Sequence, residues 1–279
     1  MALPDAWSPP DAKPFLKWVG GKRQILAELM KHVPAKFGRY HEPFLGGGAL
    51  FFHLRQQRSF PAFLTDSNAR LIRTYRGVQH DVEGVIRLLG EHAQKHGRTF
   101  FEKVRDRRDV ESATITDVAA WLIYLNRTAY NGLYRVNSRN IFNVPFGKYL
   151  NPNICDAENL RACSAALKHA ELDPAGFESV LDRARPGDFV YFDPPYRPIT
   201  TTSNFTTYTS DGFNDADQAR LRDVALVLKK RGVHVLLSNS NAPLIEELYK
   251  GFEKFRVGAR RSVNSDPTGR GLVQELVIK

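Results

Sequence analysis

Two consecutive prolines, Pro194 and Pro195, stand immediately after the apolar run "FVYF" and Asp193. Proline has no amide hydrogen and a fixed φ, so this pair breaks both a helix interior and a central strand. The run "DFVYF" therefore reads as a strand that must stop, followed by a stiffened loop at its carboxyl end. In "DPPY" the Asp193 carboxylate, the Pro194 carbonyl and the Tyr196 ring would be held in one geometry. An exocyclic amino group needs such acceptors for its two hydrogens, and a flat base needs a ring to stack on. The stretch suits an extruded adenine or cytosine. Read alone, Pro-Pro is also an ordinary stop signal and Tyr196 an ordinary core aromatic.

The rest of the chain sets this loop in an alternation of helices and strands. Ile25, Leu26, Leu29, Met30 and Val33 recur at helical spacing behind Gly20 and Gly21, which predicts a glycine turn and an amphipathic helix over 22–33. In "YHEPFLGGGALFF", Gly46, Gly47 and Gly48 allow a tight turn and a close approach to a ligand before a second helix. "PAFLTD" reads as a strand with Asp66 at its carboxyl end. From 68 to about 96 the pattern is helical, with Val82, Val85, Ile86 and Leu89 on one face, and a charged stretch runs on to Glu111. Thr116 or Asp117 is expected to cap the next helix, whose Trp121 and Tyr124 are assigned to the core. "DFVYF" and "VHVLLS" flank a helix over 215–230 that Gly232 can terminate. "FRVGARRSV" and "LVQELVIK" read as two further strands joined by a polar turn at 266–269. The order predicts an α/β fold, a doubly wound domain with an inserted helical module. Ligands in such sheets bind at the carboxyl ends of strands, where the three glycines, Asp66 and "DPPY" all fall.

With 279 residues, 42% of them hydrophobic, the chain can bury one large core, or a core domain and a smaller module. A formal net charge of +10 favours anionic partners such as nucleic acid or anionic lipid. Cys155 and Cys163 form no CxxC pair and stand beside no histidine cluster, so neither a disulfide framework nor a zinc site is read, and two buried thiols are expected. The opening residues lack the apolar stretch of a signal peptide, and the longest apolar run, 118–125, is too short to span a bilayer. A soluble intracellular protein with a mobile tail over 1–13 is expected. The glycine loop is neither GxGxxG nor a P-loop, which disfavours a pyrophosphate ligand and leaves a small nucleoside, with Asp66 able to accept from a ribose. On the blander reading the glycines only turn the chain and Asp66 only caps a helix.

No residue from 118 to 155 is acidic, while Arg127, Arg135, Arg139 and Lys148 are interleaved with Tyr124, Tyr130, Tyr134, Phe142, Phe146 and Tyr149. Such a stretch can hold phosphates, and its Arg and Asn residues can read base edges. The turn composition of 137–140 between Val136 and Ile141 predicts a β-hairpin. A merely solvated basic face is the alternative.

Together, "FLKWVGGKRQIL" at 15–26, "EPFLGGGALF" at 42–51, Asp66, "LNRTAYNGLYRVNSRNIFNVPFGKY" at 125–149, "DPPY" at 193–196 and "LLSNS" at 236–240 resemble the Dam-like family, the D12 class or alpha group of site-specific DNA adenine-N6 methyltransferases. The resemblance implies a Rossmann-like methyltransferase domain over 14–67 and 155–279. It implies a mostly helical target-recognition domain over 68–154 that carries a β-hairpin. S-adenosylmethionine is the implied methyl donor, surrounded by Trp18, Gly20, Gly21, Lys22, Glu42, Phe44, Gly46, Gly47, Gly48, Asp66, Phe177 and Asp193. Phe177 comes from a stretch, 170–180, that matches less well.

For catalysis the resemblance implies Asp193, Pro194, Pro195 and Tyr196, acting on a flipped base with no metal. For DNA it implies Lys17, Tyr130, Asn131, Leu133, Arg135, Asn137 and Pro145. Arg127, Arg139, Lys148 and Tyr149 join them from the basic stretch, Lys148 standing where some members carry arginine. Double-stranded DNA is the implied partner, with GATC or a longer site containing GAT as target. No protein partner or membrane is implied, a cognate restriction endonuclease would act separately, and the expected location is the cytoplasm, at the nucleoid through DNA. A monomer is expected from one catalytic centre and one recognition module. The alternatives are the same fold acting on cytosine N4 or RNA adenine, and a DNA-binding regulator without turnover.

Overall fold

A computed structural model of the chain describes residues 11–196, 213–260 and 272–279. The first ten residues of the expected tail, Arg197, Pro198 and the expected turn at 266–269 lie outside them. In chain order the elements are α1 (Leu26–Met30), β1 (Tyr40–Glu42), α2 (Ala49–Arg55), β2 (Ala62–Asp66), α3 (Ala69–His80), α4 (Val82–Gln94), α5 (Arg98–Arg105), α6 (Ile115–Thr128), α7 (Ala157–Leu167), β3 (Ala170–Pro174), α8 (Val180–Arg183), β4 (Phe189–Phe192), α9 (Asp215–Lys230), β5 (His234–Ser240), α10 (Pro243–Leu248), β6 (Lys254–Arg260) and β7 (Leu272–Ile278). This is the expected mixed α/β, Rossmann-like fold. No helix among the described residues is long and apolar enough to cross a membrane.

The chain divides into two compact units, Met1–Gly21 with Gly46–Phe60 and Asp66–Ala175, and Lys22–Leu45 with Pro61–Thr65 and Gly176–Lys279. In the second, the strand order is β2-β1-β4-β5-β7-β6. The pairs β1/β2, β1/β4 and β4/β5 are parallel, whereas β7 runs antiparallel to both β5 and β6. Every residue of β4 is buried, as a parallel strand covered on both faces requires. Its Val190 and Phe192 pack with Leu221, Leu228, Val235, Leu237, Leu276 and Ile278 in one core. The expected helix over 215–230 starts in a capping box of Asn214 and Asp217 and ends before Gly232 at φ +76°. The antiparallel reversal has a positional effect. Glu275, the middle residue of β7, pairs with Ser240 at the end of β5, so β7 brings its middle to the edge where the parallel strands finish.

Two local expectations are corrected in this unit. The helix over 22–33 is a 3₁₀ turn, Lys22–Gln24, followed by five α-helical residues, because Ile25 gives α1 no side-chain cap and Pro34 limits its far end. The three-residue β1 was not expected, since "YHE" is too short to show a period.

In the first unit, Asn68 caps α3 by accepting the Arg70 and Leu71 amides, and Asp81 splits the expected long helix by capping α4. The cap of α6 is Thr114, not Thr116 or Asp117. Its hydroxyl accepts the Asp117 amide at 3.1 Å and donates to the Asp117 carboxylate at 2.6 Å, so the reciprocal spacing of Thr and Asp decides the start. Trp121 and Tyr124 are core residues, 2% and 0% exposed. Cys163 is buried, but Cys155 is only half-buried. Helix α7 went unread in the sequence. Ala12 is buried, and the Asn159 side chain bonds both the amide and the carbonyl of Lys13.

Candidate active site

In the second unit β4 delivers Asp193, Pro194, Pro195 and Tyr196 beyond the last residue of the strand, and three of these are gripped by side chains from other elements. The Ser238 hydroxyl, on β5, donates to the Asp193 carboxylate at 3.2 Å and lies 2.7 Å from the Tyr191 hydroxyl. Gln218, on α9, donates to the Pro195 carbonyl at 3.1 Å and accepts from Asn239 at 2.9 Å. Tyr196 donates its hydroxyl to Glu275 at 2.7 Å. Gln218, Ser238 and Asn239 are fully buried. Buried polar side chains survive only when hydrogen-bonded, and here the bonds end on the proline loop. None of Gln218, Ser238, Asn239 or Glu275 was singled out as a site residue beforehand, although "LLSNS" marked the strand that holds two of them.

Lys22, 4% exposed, places Nζ 2.8 Å from Asp193 and 4.5 Å from the centre of the Tyr196 ring. Burial holds the Asp193 carboxyl above its ordinary range, against the opposing pull of Lys22 and Ser238. Burial likewise pushes the Tyr191 phenol well up, with the nearby charges of Asp193, Glu42 and Glu275 adding to the effect. Three carboxylates thus act on one buried phenol, so this neighbourhood favours positive charge. Glu42, at the end of β1 and buried, accepts the Tyr40 hydroxyl at 2.8 Å. Phe44 stacks on Phe177 at 5.5 Å and 22°, and Phe213 meets Phe44 edge-on at 5.6 Å.

The first unit carries the other expected residues. Gly20, Gly46 and Gly48 adopt positive φ of 81°, 46° and 65°. At Gly46 a Cβ would stand 2.8 Å from the Trp18 indole, so conformation and space both require glycine. Asp66 accepts the Gly46 amide at 3.1 Å and the Asn68 amide at 2.9 Å. It therefore braces the glycine loop, while the cap of α3 belongs to Asn68. A carboxylate offers about four acceptor sites, so two bonds leave capacity for a ligand hydroxyl.

Lys17 and Trp18 are tied to the basic stretch. The buried Asn126 side chain bonds the Lys17 amide and carbonyl and the Gly132 carbonyl, each at 2.8 Å. Asn126 was also missed, because a single Asn inside an apolar helix carries no periodic signal. Trp18 stacks on Tyr134 at 5.7 Å, and Lys17 Nζ lies 4.8 Å from the Tyr149 ring. Burial, then the charge of Arg127, lowers the Lys17 pKa.

Tyr130 is 52% exposed, and Asn131 takes a positive φ of 54° in the turn that leads to the half-buried Leu133. Arg127 donates to the Phe15 carbonyl at 2.9 Å, and Arg135 to the Asn143 side chain and carbonyl at 2.7 and 2.9 Å. The expected hairpin is a turn with single bridges, Val136 to Phe142 and Ala129 to Phe146, instead of two regular strands. The Asn137 side-chain oxygen takes the Arg139 and Ile141 amides, which adds a side-chain closure to the backbone bonds that the Asn137 amide donates to the Ile141 carbonyl and the Asn143 amide to the Arg135 carbonyl. Arg139, Pro145 and Lys148 are exposed, and Tyr149 is half-buried. Asn137 and Arg139 line a polar pocket of about 390 Å³ with Arg105, Arg108 and Asn143. Arg105 and Arg108 were not singled out because acidic residues separate them from the basic stretch in the sequence.

A family description, "D12 class N6 adenine-specific DNA methyltransferase", matches residues 18–263. A type II methyltransferase of Lactococcus lactis subsp. cremoris is 42% identical over 271 residues, covering 95% of this chain and 94% of that one. A type II methyltransferase of Methanocaldococcus jannaschii is 40% identical over 286 residues, covering 96% and 99%. A DNA adenine methylase of Vibrio cholerae is 33% identical over 269 residues, covering 94% of each.

Proposed function

Since the chain belongs to the D12 class N6 adenine-specific DNA methyltransferases, we propose that it uses S-adenosylmethionine to methylate a flipped-out adenine within GATC, or within a longer site containing GAT. DNA adenine methylation is the activity of the family; donor, target sequence and base flipping are the present reading. The observation that carries it is the braced loop Asp193 to Tyr196, with a carboxylate, a carbonyl and a ring set at the end of a buried strand. The residues suit the donor. Carboxylates Glu42 and Asp193 match a cationic sulfonium and ammonium, Phe44 and Phe177 offer apolar faces to a nucleoside, and the Gly46 loop admits close backbone approach.

Bound S-adenosylmethionine supplies an electrophilic methyl group on sulfur. Asp193 and the Pro194 carbonyl accept the two N6 hydrogens, which draws the nitrogen lone pair out of conjugation with the ring. Tyr196 stacks on the base, and Pro195 stiffens the loop between them. Asp193 need not act as a strong base, because the N6 proton can leave after the methyl has arrived. Positioning supplies much of the rate. Trp18, Gly20, Gly21, Lys22, Gly47, Gly48 and Asp66 complete the proposed donor contacts.

Residues 68–154 are proposed to read DNA. Lys17, Tyr130, Asn131, Leu133, Arg135, Asn137 and Pro145 face the bases, and Arg127, Arg139, Lys148 and Tyr149 face the backbone. Residues 14–67 and 155–279 carry the chemistry. The enzyme would act on double-stranded DNA in the cytoplasm without a protein partner, any cognate endonuclease acting separately.

Incubation with S-adenosylmethionine and two unmethylated duplexes, one with GATC and one with those bases scrambled, followed by nucleoside mass spectrometry, tests the reading. N6-methyladenine from the GATC duplex alone is expected; equal product from both would discard the site. A pH series adds a second expectation. Asp193 accepts the amino hydrogens as a carboxylate, and its pKa is raised, so kcat falls on the acid side from above the ordinary Asp range. Lys22 opposes that rise, so Lys22→Met should lower kcat and move this acid limb to higher pH. An unmoved limb in K22M would detach it from Asp193.

A further inference from the structure

We propose that Glu275 is a positioning residue of the methyl-transfer step, holding the Tyr196 ring by its hydroxyl in the orientation that a stacked base requires. The inference rests on the reading of Tyr196 above.

Glu275 is in an unusual place for a carboxylate. It lies on β7, an interior strand with β5 on one side and β6 on the other, paired with Ser240 and Val257. The residues that follow it, Leu276, Val277 and Ile278, are 0–1% exposed. Glu275 itself is half-buried, and a carboxylate partly withdrawn from water in an interior strand costs folding free energy unless it is bonded. The bond it makes is not to a neighbour in the sheet but to the end of the loop that follows β4, 79 residues away in sequence. A local choice that the fold does not need, ending on a site residue, is the pattern expected of a functional position.

The geometry explains what the bond does. Pro194 and Pro195 fix their own φ, but the Tyr196 side chain still turns about χ1. Gln218 holds the Pro195 carbonyl and so fixes the loop backbone, not the ring. Lys22 meets the ring through its charge, a contact that tolerates tilt. Only Glu275, among the described contacts of Tyr196, takes the far end of the ring, and two ends held define an orientation. The antiparallel run of β7 makes this possible, since it brings the middle residue of the strand to the edge where β4 ends. Burial and the charges of Asp193 and Glu275 push the Tyr196 phenol well above its ordinary range, so the hydroxyl stays a donor.

The test uses the full chain, S-adenosylmethionine and unmethylated, amplified duplex DNA several kilobases long, which contains every four-base site. Glu275→Leu, Glu275→Gln, Tyr196→Phe and the double variant Glu275→Leu/Tyr196→Phe are compared by single-turnover methylation, DNA affinity and urea midpoint. Misorientation of a reacting partner costs up to about 10²-fold, so E275L is expected to slow the methylation step roughly 30-fold with DNA affinity changed less than about twofold. E275Q keeps an acceptor oxygen and should retain at least about a third of the rate; because Gln also keeps the shape of Glu, the separation from a packing effect rests on Y196F, which removes only the hydroxyl. Y196F should match E275L, and the double variant should be slower than Y196F by less than about twofold, because both remove one bond. If E275L does not fold, the E275Q and Y196F rates decide. A wild-type rate in Y196F, a near-wild-type rate in E275L, or multiplying effects in the double variant would overturn the proposal. No N6-methyladenine from the wild-type chain would instead overturn the reading of function.

Discussion

Asp193→Ala abolishes turnover, with an expected loss of at least about 10³-fold in kcat, equivalent to roughly 4 kcal/mol of transition-state stabilisation. The carboxylate is held by Ser238 at 3.2 Å and Lys22 at 2.8 Å, so it is a fixed acceptor and not a mobile one. Removing it deletes the proposed acceptor for N6 while leaving the backbone of the proline loop anchored by Gln218. It also takes away the carboxylate that faces the buried Lys22 ammonium, so urea midpoints must accompany the rates. DNA affinity by anisotropy should remain largely intact, whereas S-adenosylmethionine affinity by titration calorimetry should fall with the loss of one of the two carboxylates proposed to face its positive charge. A folded D193A enzyme with near-normal rate would remove Asp193 from the mechanism.

Gly46→Ala is expected to produce the second largest effect, and on binding instead of chemistry. A residue with a Cβ at φ +46° costs about 1–2 kcal/mol, and the added carbon would stand 2.8 Å from Trp18 Cδ1. Either the backbone shifts, which moves the Gly46 amide that Asp66 accepts, or the indole leaves its stack on Tyr134. Affinity for S-adenosylhomocysteine, measured calorimetrically, should fall by about 100-fold, with a loss of stability on the order of 2 kcal/mol. Gly90→Ala is the control. Its Cβ would meet nothing within 4 Å inside α4, and the change should stabilise by about 0.5–1 kcal/mol. Unchanged ligand affinity in G46A would separate the glycine loop from the cofactor.

Much of the fold was legible from local pattern. The strands "DFVYF" and "VHVLLS", the helix between them and its stop at Gly232 follow from apolar period and glycine conformation, and each is observed. The failures have local causes as well. The cap at Thr114 was displaced by two or three residues because capping depends on a reciprocal pair and not on one residue type. The turn at 137–140 is closed by the Asn137 side chain as well as by backbone bonds, a local closure that composition does not reveal.

The residues with intrinsic chemistry were also legible: Asp193 and Tyr196 beside prolines, three adjacent glycines, and arginines among tyrosines without acids. These signals are covalent neighbours, and a stiff or permissive chain expresses them wherever it folds. Ser238, Gln218, Glu275 and Asn126 carry no such local mark. Their partners lie 45, 23, 79 and 109 residues away in sequence, for the bonds to Asp193, Pro195, Tyr196 and Lys17. Periodicity assigns a side chain to a face, but strand order and direction decide what that face meets. The antiparallel course of β7 alone brings Glu275 to the end of β4. The sequence by itself therefore determined which acceptors, rings and permissive turns stand together as covalent neighbours. The tertiary structure decided which groups hold them still, because a hydrogen bond between distant residues exists only once the register of the sheet is set.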